Sequence, residues 1–453
     1  MNDLSLYQRD QLLMRFLAYL NDHSISYCVL SNLSNANPEY DLDVDISIAS
    51  KDSTKVARLI REFSHSNDLL LIFDIWSGTH SRAYTLVKRG SAARVVLKLD
   101  IMVGYASLRT GELLRHEEIA LDRVFNGFFW GLSERSELAY LSVRHFIKND
   151  GRAYRIERIK FLSEKVSPES CREVFPPVIV EAIGLAASGS PQTADRAIHL
   201  KLKNYGKARM GLIGRAAAGV SEIRRAVHRV SRPVGSTIAF LGPDGAGKST
   251  LIEALRARMA PVFHGSTSFY WRPRLLPSPG RLKFWNPSLE KQENPDPHNV
   301  FPHGKAASLA RLLYFSLDYI LGYFVLVRPR TICKDLVIFD RFLNDIRIDQ
   351  LRYRMNVPEL MLRFVERLVP KPDIIFALYG PPELLHARKP ELSIEETARQ
   401  VALLCQMADE NRHFTLVSVD NDVEKIVDEI IETIMLSCAK AGEGLTGSSP
   451  HAV

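Results

Sequence analysis

Nine consecutive residues constrain this chain more than any others: Gly242-Pro243-Asp244-Gly245-Ala246-Gly247-Lys248-Ser249-Thr250. They fit G-x-x-x-x-G-K-[ST], a glycine-rich loop that turns backbone N–H groups toward phosphate oxygens. The five residues before it, Thr237-Ile238-Ala239-Phe240-Leu241, form an apolar run of strand length. The residues after it, from Leu251 to Leu255, begin a helical pattern that Pro261 closes. A strand, a phosphate loop and a helix in that order imply a parallel α/β sheet, with the positive helix end beside the bound anion. In such a loop Lys248 reaches the outer phosphates and the Ser249 hydroxyl is a magnesium ligand. Gly242, Asp244, Gly245, Ala246, Gly247, Lys248, Ser249 and Thr250 are therefore the expected nucleotide-binding residues, with ATP and Mg2+ as cofactors.

Two further stretches suit the same site. Leu336-Val337-Ile338-Phe339 is an apolar strand that ends in Asp340-Arg341. An acid at a strand's carboxyl end is where a magnesium partner is needed, and an arginine beside it can clamp a phosphoryl group. Downstream, Pro381-Pro382-Glu383 opens a helix that closes on Arg388-Lys389, a basic pair suited to a lid. Ser393 with Glu396 reads as a capping box for the next helix. Strands are expected at 237–241, 335–339, 373–378 and 414–419, alternating with helices. The Pro- and Asn-rich stretch 273–303 reads as an irregular excursion over the active face.

Taken together these residues resemble the thymidylate kinase-like group of P-loop kinases. The resemblance rests on the loop, on Asp340-Arg341, on Pro372-Asp373 and on Pro381-Pro382-Glu383 with Arg388-Lys389. It implies that Asp244 and Arg341 face the acceptor, that Arg388 belongs to the lid, and that Lys248, Asp340, Arg341 and Arg388 are catalytic. The chain also resembles a subgroup in which this domain follows a nucleotidyltransferase-like region, often encoded with bacterial surface-polysaccharide genes. The stretches that carry this are Trp271-Arg272-Pro273-Arg274, Asp340 to Asp345, Arg352-Tyr353-Arg354 and Arg388 to Ser393. Arg272 is a candidate acceptor contact on that ground. Two features differ from true thymidylate kinases. A T-R-E-P segment is absent, and Leu378 is followed by Tyr379 instead of Asp. An acceptor other than dTMP is expected.

The first 128 residues read as a separate α/β unit, with a helix over 5–22, strands at 25–30, 43–48, 69–75, 83–88 and 94–102, and a helix over 53–64. In Asp41-Leu42-Asp43-Val44-Asp45 the alternation puts carboxylates on one strand face. Asp43 and Asp45, joined by Asp100 from the strand Val95 to Leu99, would repel unless a cation lay between them. That makes them a candidate two-magnesium site. The layout resembles the polymerase-β-like nucleotidyltransferase superfamily, with Ser31-Asn32 where that family carries a Gly-Gly or Gly-Ser turn.

Residues 129–233 read as helical, with candidate helices at 134–148, 152–166, 177–188, 193–216 and 219–230. Between Lys201 and Arg232 nine Lys/Arg face the single acid Glu222, so this stretch carries +8 in a chain of formal net charge +7. An anionic partner or a membrane surface is the expected counterpart. Nucleic acid is disfavoured, because no aromatics interleave with the charges. The P-loop domain is expected over 234–438 and a disordered tail over 439–453. The longest apolar stretch, Leu309 to Val327, contains Arg311 and Asp318 and is expected to be a buried helix, not a membrane span. Five scattered cysteines without C-x-x-C spacing argue for a reducing compartment. No signal peptide is evident, so the chain is expected in the cytoplasm, with attachment at the inner membrane surface and a homodimer left open.

The leading expectation is an ATP- and Mg-dependent phosphotransferase acting on a nucleotide, sugar or glycan acceptor. Two alternatives come from other classes. One is a nucleotide-binding regulator or scaffold, and the other is a nucleotidyltransferase that uses Asp43, Asp45 and Asp100.

Overall fold

The computed structural model describes residues 3–30, 43–78, 81–107, 110–148, 153–188, 192–277 and 303–446. The chain separates into two compact units, Met1–His228 with Ala439–Val453 and Arg229–Cys438. The N-terminal α/β layers and the helical region belong to one unit.

The first unit holds strands β1 (Tyr27–Val29), β2 (Asp43–Ile48), β3 (Leu69–Gly78), β4 (Ser81–Lys88), β5 (Val96–Met102), β6 (Tyr105–Ser107), β7 (Gly111–Leu114), β8 (Val124–Phe125) and β9 (Trp130–Gly131). Seven of them form one mixed sheet in the order β3-β4-β5-β2-β1-β9-β8, and β6 pairs with β7. Helix Asp3–Asp22 contributes Leu13, Phe16, Leu17 and Leu20, and helix Ser53–Ser66 contributes Val56, Ile60 and Phe63, to a core that includes Ile46, Leu86 and Leu99. Their i, i+3, i+4 spacing makes one face apolar, which is why these segments fold as helices over a sheet. A second core joins Tyr140, Val143 and Phe146 to Ile159, Leu162, Ile179 and Ile183 of the helical region. The expected helices 193–216 and 219–230 divide instead at Gly211, whose φ of 67° and ψ of 178° separate two helices within Gln192–Ser231.

The second unit is a five-stranded parallel sheet in the order β11-β12-β10-β13-β14. Its strands are β10 (Ser236–Leu241), β11 (Ser266–Tyr270), β12 (Leu336–Asp340), β13 (Ile374–Tyr379) and β14 (Phe414–Ser418). Central parallel strands are covered on both faces, so they read as continuous apolar runs. Every residue of β10 is buried. Phe240 stacks on Phe376 at 5.4 Å, and Phe269 on Phe339 at the same distance. Asp373 ties two strand entries together, accepting from Thr237 N at 2.7 Å, Thr237 Oγ1 at 2.9 Å and Ser236 Oγ at 3.2 Å.

Helix Lys305–Gly322 sends Leu312, Phe315 and Tyr319 into this core. With the turns that follow it to Ile332, it is long and apolar enough by composition to cross a membrane, at a mean hydropathy of 1.5. Its Asp318, however, is fully buried within an ion pair. Residues 439–446, expected to be disordered, instead continue helix Val423–Thr446. The buried stripe Ile426, Ile430, Ile434 anchors the first part of this helix. Residues 278–302, most of the expected excursion, and Ser31-Asn32 lie outside the described residues.

Candidate nucleotide-binding site

The phosphate loop leaves the carboxyl end of β10 and enters helix Lys248–Met259. β10 lies between β12 and β13, so the chain turns toward opposite sheet edges on either side of it. A crevice forms outside the strand ends at such a point. Two glycines shape the loop. Gly245, at φ 84°, could not carry a Cβ, because that atom would lie 2.4 Å from the Leu385 carbonyl oxygen. Gly247, at φ 75°, is the left-handed residue that starts the helix, and the space beside it is open. The helix's first N–H groups therefore face outward past a residue with no side chain.

Lys248 is buried, and its Nζ donates to Gly242 O at 2.8 Å and Pro243 O at 2.9 Å. Burial, reinforced by the nearby Arg341, lowers its pKa to about 7 against the pull of Asp244, Asp345 and Asp340. Ser249 and Thr250 are exposed at the start of the helix.

Asp340 ends β12, its Cα in register with Phe240 of β10. One carboxylate oxygen, Oδ1, is buried without a hydrogen-bond partner among the described residues, and burial raises the pKa of this carboxyl. A buried oxygen without a donor suits a cation or its bound water. Mg2+ is typically held by one or two carboxylates together with phosphates and water. The donor set of Asp340 and Ser249 therefore fits magnesium.

Arg341, at φ 70°, is almost wholly buried. Nη1 donates to Asp345 Oδ2 at 2.7 Å and Nη2 to Asp244 Oδ1 at 2.7 Å. Arg352 closes on the other oxygen of Asp244, and Tyr353 OH donates to Asp345 Oδ2 at 2.6 Å. Burial alone would raise the pKa of Asp244, but Arg341 and Arg352 outweigh it and hold the carboxyl at about 2. Arg352, Tyr353 and Asp345 were legible as a motif, but their places in this network were not. The i, i+4 spacing of Arg341 and Asp345 was the signal available.

Arg388 closes helix Pro382–Arg388, and its Cβ lies 3.5 Å from where a Cβ on Gly245 would stand. Its guanidinium donates to the Val419 carbonyl oxygen at 3.3 Å. Ser393 accepts from Glu396 N at 3.2 Å, one half of the expected capping box.

Arg272, the expected acceptor contact, follows β11 and is engaged within its own unit. It is buried, and Nη1 donates to Asp318 Oδ2 at 2.9 Å. Asp318 also accepts from Arg274 N at 3.1 Å and Leu276 N at 2.6 Å. Arg272 thus holds the turn after β11 onto helix Lys305–Gly322.

The N-terminal carboxylates also depart from expectation. Asp45 and Asp100 are register partners on parallel strands, as alternation implied. Arg144, from helix Glu134–Lys148, donates to Asp45 Oδ2 at 2.7 Å. Burial, with Asp45 beside it, raises the Asp100 pKa to about 6. Asp43 is mostly exposed, 3.8 Å from Lys98 Nζ. Among the described residues no group of three or more His, Cys, Asp or Glu is placed to hold a metal ion.

No family model matches the chain, and no curated protein matches it. Among solved structures it is similar to a thymidylate kinase from Ehrlichia chaffeensis, at 19% identity and a TM-score of 0.31, over 44% of this chain and 98% of that one.

Proposed function

We propose that the second unit is an ATP-dependent phosphotransferase. It would move the γ-phosphoryl group of ATP to an oxygen of a nucleotide, sugar or glycan acceptor other than dTMP, with ADP leaving. One observation carries this reading: the phosphate loop on β10 and the partnerless buried oxygen of Asp340 on β12 stand at the carboxyl ends of adjacent strands. Such an acid holds the magnesium that accompanies the nucleotide, and phosphoryl transfer then depends on positioning and charge more than on a nucleophile.

In this reading the loop amides and Lys248 hold the phosphates, and Lys248 leaves the carbonyls of Gly242 and Pro243 to reach them. Ser249 and Asp340 would hold magnesium, which when bound spreads the charge developing on the phosphates. Asp244 and Asp345 keep Arg341 in one orientation at the floor of the crevice, so its edge is already arranged for an anionic acceptor.

The test is ADP release by the full chain with a panel of nucleoside monophosphates, sugars and glycan fragments. Lys248→Ala and Asp340→Asn serve as controls, alongside direct measurement of ATP affinity. Acceptor-dependent ADP release that falls at least about a hundredfold in Lys248→Ala is the expected result. Tight ATP binding with no transfer to any acceptor would replace this reading with a regulatory one.

A further inference from the structure

After the break at Gly211, helix Gln192–Ser231 carries an apolar strip that nothing in its own unit covers. Leu212 is 81% exposed, Ile213 88%, Val220 58%, Ile223 67% and Val227 62%. At about 100° per residue these five fall within one arc of roughly 100°. Ala216, also exposed, lies inside that arc. The small Ala218, on the opposite side of the helix, is buried. A surface helix normally shows water the reverse pattern, with its apolar arc inward.

Charge flanks the strip on both sides. Arg224 lies about 20° outside one edge and Arg215 about 60° outside the other, and both are exposed. The only acid of the stretch, Glu222, is half-buried and held by Arg225 Nε at 2.9 Å. The outer face of this helix is therefore aliphatic in the middle, cationic at the rims and free of uncompensated negative charge.

We propose that residues 212–228 lie along an anionic lipid bilayer surface. The aliphatic arc would enter the acyl boundary, and Arg215 and Arg224 would reach lipid phosphates. An in-plane helix needs this combination: a broad apolar face, basic rims and low overall hydrophobicity. A second copy of this chain fits less well, because two identical strips face to face would bring arginine rims together with no acid between them. The proposal stands apart from the phosphotransfer reading and is tested without activity.

The experiment is co-sedimentation of the full-length protein with vesicles of phosphatidylcholine alone and of phosphatidylcholine mixed with phosphatidylglycerol. Wild type should partition onto the mixed vesicles roughly tenfold or more above the neutral ones, and less as salt rises. Ile223→Asp with Val227→Asp should abolish binding to both. Arg215→Ser with Arg224→Ser should remove the preference for phosphatidylglycerol. Leu212→Ser with Ile213→Ser is a milder second apolar variant, and circular dichroism and melting show that each variant folds. Failure of wild type to bind mixed vesicles, or binding unchanged in both folded apolar variants, overturns the proposal. So does a lipid-free dimer, seen by sedimentation, that the apolar substitutions dissolve.

Discussion

Arg341 and Asp244 meet at 2.7 Å between the floor of the crevice and the phosphate loop, and Arg352 holds the second oxygen of the same carboxylate. The loop's shape is thereby tied to two cations that it does not itself carry. Asp244 titrates at about 2, below the ordinary carboxylate value of 3.8. Its contribution to stability is present in full above the unfolded pKa and is lost as pH falls through 3.8 toward 2. Urea unfolding between pH 5 and 2 should lose about 2 kcal/mol from this group. In Asp244→Asn that part of the pH dependence should vanish, and the protein should be less stable at neutral pH.

Lys248 gives a pH dependence of the same direction in a higher range, although its burial costs stability at neutral pH where the pairing of Asp244 adds it. Its folded pKa of about 7 lies below the unfolded value near 10.4, so the unfolded chain binds more protons between the two. Stability should rise from pH 7 to pH 10, by on the order of 3 kcal/mol from this residue, and Lys248→Met should flatten the rise. An anion at the loop raises the lysine's pKa, so nucleotide binding at pH 8 should take up a proton. Calorimetry in buffers of different ionisation enthalpy measures that uptake, and it should be absent in Lys248→Met.

Gly245 and Gly247 share a left-handed backbone but differ in surroundings. Gly247→Ala should cost about 1 kcal/mol, the conformational penalty alone. Gly245→Ala adds a collision with the Leu385 carbonyl oxygen and should cost at least 2–3 kcal/mol more, roughly the strain of displaced backbone. Equal melting temperatures for the two variants would contradict the described loop.

Arg272→Met leaves Asp318 as a buried charge without its cation, and a loss of roughly 3–5 kcal/mol is expected. Asp318→Leu with Arg272→Met should recover much of it. If Arg272 only holds the turn, the double variant keeps the KM for acceptor that Arg341→Ala should raise. Steady-state kinetics on the folded fraction separates the two roles.

The phosphate loop and the four strands β10, β12, β13 and β14 were legible because each depends on a local pattern: a glycine spacing, or an apolar run that only a doubly covered strand explains. β11 was not. Ser266-Thr267-Ser268 at the sheet edge has no need to be apolar, so no apolar run marks the strand. Charge partners were the least legible feature. Asp43, Asp45 and Asp100 suggested a metal because strand alternation places carboxylates together, but it says nothing of Arg144, which arrives from a helix 99 positions away from Asp45. Arg272 looked free for the same reason, with Asp318 46 positions distant. A guanidinium in a sequence is a charge without a direction, and only the packed structure shows which carboxylate it faces.

The position of β10 in its sheet also bears on biosynthesis. Its neighbours on the two sides, Leu336 of β12 and Ile374 of β13, pair with Ser236 and Ile238 across 100 and 136 residues of chain. A nascent chain emerging at a few residues per second thus exposes the loop's strand with both hydrogen-bonding edges bare for many seconds before either partner is made. Truncations ending before 374 should aggregate through that strand, and translation pauses between residues 241 and 374 should lower the yield of folded protein.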